Sequence, residues 1–107
     1  MLSRERLETD RSRLYQLEEL AEKFGIQIRY EPIKQDEDLV RVVGGLCILR
    51  GEYVVIIDSK AAMRDKIRTL AEAITHFDLD QIYIKPALRE LLRKVTPHQY
   101  NTGGGND

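Results

Sequence analysis

Glu72 and His76 are the residues whose types and spacing come nearest to chemistry. Four residues apart on a stretch with helical periodicity, they project from one helix face, and Asp78 and Asp80 follow within a turn. A carboxylate and an imidazole so placed are two ligands for a divalent metal such as zinc. Spacing assigns no third ligand; Glu90 is the nearest downstream carboxylate on a helix. The alternative is a surface glutamate and a histidine near a helix C-terminus, where the helix dipole favours it. Cys47 is the only thiol. It sits in an apolar strand without the cationic neighbour or helix N-terminus that would lower its pKa, so it is expected to pack in the core and not to act as a nucleophile. Ser59, His98 and one of several carboxylates make a formal nucleophilic set, but no spacing links them.

A basic cluster, Lys85, Arg89, Arg93 and Lys94, lies on and before the last helix, with Glu90 as its one acidic interruption. Helical spacing lines Arg89, Arg93 and Lys85 along one outer face, which suits phosphates or an acidic protein surface. The acidic stretch Asp36, Glu37, Asp38 is an equally good partner, within the chain or across a dimer. Nucleic acid is disfavoured because no aromatic residues that could stack on bases are interleaved with these cations. Gly44-Gly45 is followed neither by Gly-Lys-Ser nor by the spaced glycines that open a phosphate-binding helix.

The run Thr69, Leu70, Ala71, then Ile74, Thr75 and His76 resembles the active helix of small zinc-dependent metallopeptidases of the ImmA/IrrE type. In that family an apolar lead precedes His-Glu-x-x-His, and here too a strand ending in Val54-Val55-Ile56-Ile57-Asp58 delivers the chain into the helix. The resemblance covers about Gly44 to Phe77. Carried over, the first zinc-ligating histidine is Glu72, the general-base glutamate is Ala73, and the second histidine is kept as His76. Alanine cannot activate a metal-bound water. The resemblance therefore implies a zincin-like domain that has lost catalysis, with zinc as an alternative cofactor.

The elements that must position these residues follow from periodicity. A helix is expected over about 3–24, with Leu7, Leu14, Leu17, Ala21 and Phe24 at heptad a and d positions. Its first half has little to bury and projects, and Gly25 stops it. Ile26, Ile28 and Tyr30 alternate with polar residues as a half-buried strand ended by Pro32. Residues 34–38 read as a polar, mostly acidic surface loop, and Leu39 to Val43 as a second apolar run. Gly44-Gly45 marks a turn, a bulge or a close backbone approach.

Residues 46–57 read as a hairpin around Gly51-Glu52 in a type II′ turn, which sets Ile48 opposite Val55 and Cys47 opposite Ile56. Both hairpin faces are apolar, so something must cover each. The helices suit one face, and the N-terminal helix or a second subunit suits the other. A core helix is expected over about 60–76, capped by Asp58 or Ser59 and buried through Met63, Ile67, Leu70, Ala71, Ile74 and Phe77. Asp78 to Gln81 turn the chain, and Ile82 to Ile84 are extended. Pro86 opens a last helix over about 86–95, buried through Ala87, Leu88, Leu91, Leu92 and Val95.

The 107 residues, 42% hydrophobic and 33% charged with a formal net charge of −1, suit one small domain over 1–97 and a disordered tail over 98–107. Neutral balance gives no reason to expect a membrane surface or nucleic acid as partner. One cysteine, no apolar run near the roughly 20 residues that span a bilayer, and no secretory leader after Met1 suit a bacterial-type cytoplasmic protein. The fold class expected is α+β: a short antiparallel sheet with a central hairpin packed against three helices. The expected function is a non-catalytic interaction or scaffold protein, a homodimer or the partner of another protein, with no resident cofactor. The alternatives are a metal-dependent hydrolase using Glu72 and His76, and a weak nucleic-acid binder using the last helix.

Overall fold

The computed structural model describes residues 4–33 and 44–95, with side chains in the first helix from residue 9 onward. Helix α1 (Arg4–Lys23) leads into strand β1 (Gln27–Glu31); strands β2 (Gly44–Leu49) and β3 (Glu52–Asp58) form a hairpin; helix α2 (Met63–Ile74), a 3₁₀ turn (Leu79–Gln81) and helix α3 (Pro86–Val95) follow. This is an α+β fold with three strands in the order β1-β3-β2 among the described residues. Leu7, the apolar run 39–43, the acidic triplet 36–38, His98 and the expected disordered tail lie outside the residues, or the side chains, so described.

α1 ends as the sequence requires. Gly25 has φ 78°, its N–H donates to the Glu22 carbonyl at 3.0 Å, and the Ile26 N–H donates to the Ala21 carbonyl at 2.9 Å. That is the double bond of a Schellman cap, with apolar Ile26 seated against Ala21. The packed part of α1 begins at Leu14, and Leu17, Leu20 and Ala21 are buried while Arg11, Ser12 and Arg13 are exposed. The heptad missed Leu20, because a helix lying on a sheet buries a stripe wider than two positions in seven.

The sheet is mixed, which corrects the expected antiparallel one. β2 pairs antiparallel with β3, but β1 runs parallel to it, Ile28 beside Val55 and Tyr30 beside Ile57. Alternation fixes which residues share a face and carries no information on strand direction. Ile28, Tyr30, Leu46, Ile48, Tyr53, Val55 and Ile57 form one face. Val55 and Ile57 of that face join Leu17, Leu20 and Ala21 of α1, Ile67, Leu70, Ala71 and Ile74 of α2, and Leu88 and Leu92 of α3 in one core. Burying each of the larger of these side chains contributes about 1.5–3 kcal/mol. α1 thus shares a side of the sheet with α2, and no described helix lies over the opposite face. The second cover expected from the N-terminal helix is absent from its described part.

The hairpin turn is Arg50-Gly51, not Gly51-Glu52. Both central residues have positive φ, 53° and 81°, so the turn is type I′, whose twist matches that of the strands it joins. Leu49 then pairs with Glu52, Ile48 with Tyr53, Cys47 with Val54 and Leu46 with Val55. Each partner moves by two positions from the expected register, and an even shift leaves every side chain on its face. Cys47 falls on the face away from the helices, half-buried and outside the core, which corrects its assignment as a packed core residue.

α2 also begins later than 60. The buried Asp58 carboxylate accepts from the Lys60 N–H at 3.0 Å and the Ile33 N–H at 3.4 Å, and the Ala61 N–H donates to the Asp58 carbonyl. A side chain bonding its own backbone two residues on makes a turn that competes with helix, so Met63 is the first helical residue. Neither Asp58 nor Ser59 caps α2; Ala62 holds the N-cap position with an extended backbone and no capping side chain. Ala62→Ser is therefore expected to stabilise the fold by about 0.5–1 kcal/mol, read as a higher urea midpoint at unchanged slope. At the other end α2 stops at Ile74, two residues before the expected limit, with Thr75 as its C-cap, whose Oγ1 donates to the Glu72 carbonyl.

Candidate functional site

The metal candidates lie on α2 and just past its end. Glu72 is half-buried on α2, and its carboxylate meets Arg68 one turn earlier at 3.4 Å. His76 lies beyond the last turn of α2, exposed, its backbone N–H donating to the Ala73 carbonyl. Ala73, at the position of the general base in the metallopeptidase pattern, is 4% exposed and packs in the core. Asp78 uses its carboxylate to cap the 3₁₀ turn, accepting from the Asp80 N–H and from the Gln81 side chain. Asp80 faces Arg89 at 3.8 Å. Among the described residues, no group of three or more His, Cys, Asp or Glu side chains could hold a metal ion.

Lys85, Arg89, Arg93 and Lys94 are exposed, as helical spacing requires. Much of their charge is answered locally. Arg89 donates to the Leu79 carbonyl at 3.3 Å and faces Asp80, while Arg93 makes a two-point hydrogen-bonded ion pair with Glu90. The Arg93 hydrogen bond, aided by its charge and that of Lys94, holds the Glu90 carboxyl below the usual carboxylate range. Lys85 lies with Lys23, Glu19 and Tyr83 around a shallow cleft between α1 and α3 floored by Leu20, Ile84 and Leu88.

A polar contact ties the sheet to α1. The Tyr30 hydroxyl donates to the Glu18 carboxylate, and the Lys66 ammonium stands 5.8 Å from the Tyr30 ring centroid. Burial, then the hydrogen bond to Glu18 and its negative charge, raise the Tyr30 pKa above its ordinary value. A pKa raised on folding gives stability that is complete below the unfolded value of about 10 and is lost as pH rises above it. Wild type is thus expected to lose stability as pH rises above about 10, and Tyr30→Phe to lose less over that range, as read from urea midpoints.

The feature that sequence reasoning missed is on the hairpin. Ile48 is 62% exposed, its neighbour Leu49 42% and its cross-strand partner Tyr53 41%. On the helix side an aromatic row runs out from the core, Phe24 to Phe77 at 5.5 Å and Phe77 to Tyr53 at 4.9 Å edge-on. It reaches Tyr53, and Ile48 beyond it stands in solvent. β2 is an edge strand with no charge and no proline from Gly44 to Leu49, and among the described residues no strand pairs with its outer side. The other edge is guarded: β1 presents Gln27, an Arg29–Glu31 ion pair and then Pro32. Charges and proline are how edge strands ordinarily avoid pairing with another chain. The signal available in the sequence was this contrast in charge between two apolar strands.

Compared with family models, with curated proteins and with solved structures, the chain matches none. No helix among the described residues is long and apolar enough to cross a membrane.

Proposed function

We propose that this chain is a non-catalytic interaction protein of the cytoplasm that works by self-association through its hairpin. The observation that carries this is the uncharged β2 edge, unpaired among the described residues, with Ile48 62% and Leu49 42% exposed beside it. An exposed flat apolar edge in a small domain is a site for adding a strand. Burying it against a copy adds apolar area that a chain of this length is short of. On the metallopeptidase side, Ala73 supplies no base and Glu72 is engaged by Arg68, in keeping with a zincin-like domain that has given up hydrolysis.

Sedimentation velocity across a concentration series tests the proposal. Wild type is expected to shift from monomer to dimer with concentration, and Ile48→Lys, a charge placed on an exposed position where the monomer fold loses little, to stay monomeric. A wild type that remains strictly monomeric to high micromolar concentration would remove the proposal.

A further inference from the structure

We infer that the self-association just proposed, on which this inference rests, joins β2 to β2 of a second copy, antiparallel, about a twofold axis midway between Cys47 and Cys47 of the copy. Backbone direction comes first. The two-residue turn closes on Leu49 and Glu52, which makes that the hydrogen-bonded pair; bonded and non-bonded pairs then alternate along the ladder. Gly45, Cys47 and Leu49 therefore spend their N–H and C=O groups on β3. Gly44, Leu46 and Ile48 aim theirs outward, at the open edge.

Two copies of one strand pair antiparallel only about an axis normal to the sheet, which must pass midway between a residue and its counterpart in the copy and keeps both sets of helices on the same side. Three centres are available. Centring on Leu46 puts Ile48 opposite Gly44 of the copy, which has no side chain to cover it. Centring on Ile48 puts Leu46 opposite the charged Arg50. Centring on Cys47 sets Leu46 opposite Ile48 twice over, both as hydrogen-bonded pairs, and Leu49 opposite Gly45, whose missing Cβ would point into open space. Leu46 already packs on the core, so Ile48 of the copy would continue that core across the axis.

Charge selects a copy over a foreign strand. Gly44 to Leu49 has no charged residue, so copy meets copy without like-charge opposition, and a charged partner strand finds no countercharge along the seam. The area sets the strength. Six residues span about 20 Å, and such a seam buries less than the roughly 800 Å² per partner of a standard interface; the dimer is reversible.

In this register Cys47 faces Cys47 of the copy as a non-hydrogen-bonded pair, with Cα atoms about 4.5 Å apart, within the reach of a disulfide. The full chain is treated with diamide, which takes one hydrogen from each thiol and is reduced to the hydrazine as the S–S bond forms. A covalent dimer is expected on a non-reducing gel, forming about tenfold or more faster than from the same chain in urea, because pairing raises the effective thiol concentration. In a Cys47→Ala background, Leu46→Cys alone and Ile48→Cys alone are expected not to self-link, while an equal mixture of the two links. Self-linking of Leu46→Cys or of Ile48→Cys would overturn the Cys47 axis. So would a dimer in sedimentation that diamide cannot link through Cys47, although self-association would stand in both cases. A strict monomer in sedimentation would remove both.

Discussion

Replacing Gly44 by alanine is expected to unfold the hairpin, and with it most of the domain, whereas the same change one residue later is expected to be mild. Gly44 opens β2 at φ +143°, and a Cβ built on it would lie 1.9 Å from the Ile56 carbonyl oxygen and 3.0 Å from the Ile57 Cα. Both obstacles belong to the backbone of the central strand, so no rotamer change relieves them. The added methyl either breaks the Gly44–Ile57 and Gly45–Ile56 pairing or pushes β3 off the helices that cover Val55 and Ile57. Left-handed or otherwise rare backbone in a residue with a Cβ costs about 1–3 kcal/mol, and the backbone clash adds to it. The total approaches the roughly 5–15 kcal/mol that holds a domain folded. Gly45 has no atom within 4 Å of the corresponding position. Far-UV circular dichroism with urea titration of the two variants separates them: Gly44→Ala with a lost or strongly lowered transition, Gly45→Ala close to wild type. Equal stability of the two would mean that the hairpin does not begin as described.

Leu70→Ala is expected to carry the second-largest penalty. Leu70 is fully buried on α2, in the core shared by α1, α2, α3 and the sheet. Removing its branched end deletes contacts in a layer closed on one side by β3 and on the other by helices, which are too constrained by their own ladders to collapse into the gap. Substitutions of this kind cost about 2–5 kcal/mol, and for a domain of this size each kcal/mol lowers the melting temperature by about 4–8 °C. A drop of roughly 10 °C or more is expected by calorimetry, at a protein concentration matched to wild type because self-association also stabilises. A change within a degree or two would show that the described packing of α2 is wrong.

Much of the fold is legible in the sequence because it follows from periodicity and from two glycines. The stripes Met63-Ile67-Leu70-Ala71-Ile74 and Leu88-Leu91-Leu92-Val95 give α2 and α3 their inner faces, and Gly25 ends α1 for the reason that only glycine is comfortable there. The Gly44-Gly45 pair reads as a place of close approach, which Gly44 is. Three things escape. Strand direction has no local signature, so the parallel seating of β1 on β3 was invisible. The turn moved to Arg50-Gly51 because an arginine at positive φ is a poor sequence match to an observed type I′ turn. The start of α2 moved because the Asp58 side chain bonds the Lys60 N–H instead of capping a helix.

The site was less legible than the fold. Residue type and helical spacing drew attention to Glu72 and His76, yet Glu72 lies against Arg68 and His76 sits past the helix end. Spacing along one helix says nothing about what neighbouring elements bring to meet it. Exposure of Ile48 depends on where the sheet ends, which only the strand order reveals.

Hydrogen exchange at the amides of Leu46 and Ile48, followed by NMR at low and high protein concentration, tests the central claim most directly. Their N–H groups face the open edge of β2, so in a monomer they exchange with water, and in the proposed dimer they donate to the strand of the copy. Protection that appears at high concentration and vanishes on dilution, with Cys47 and Leu49 protected throughout, is the predicted result. Fast exchange of Leu46 and Ile48 at every concentration, or slow exchange that dilution does not change, would contradict it.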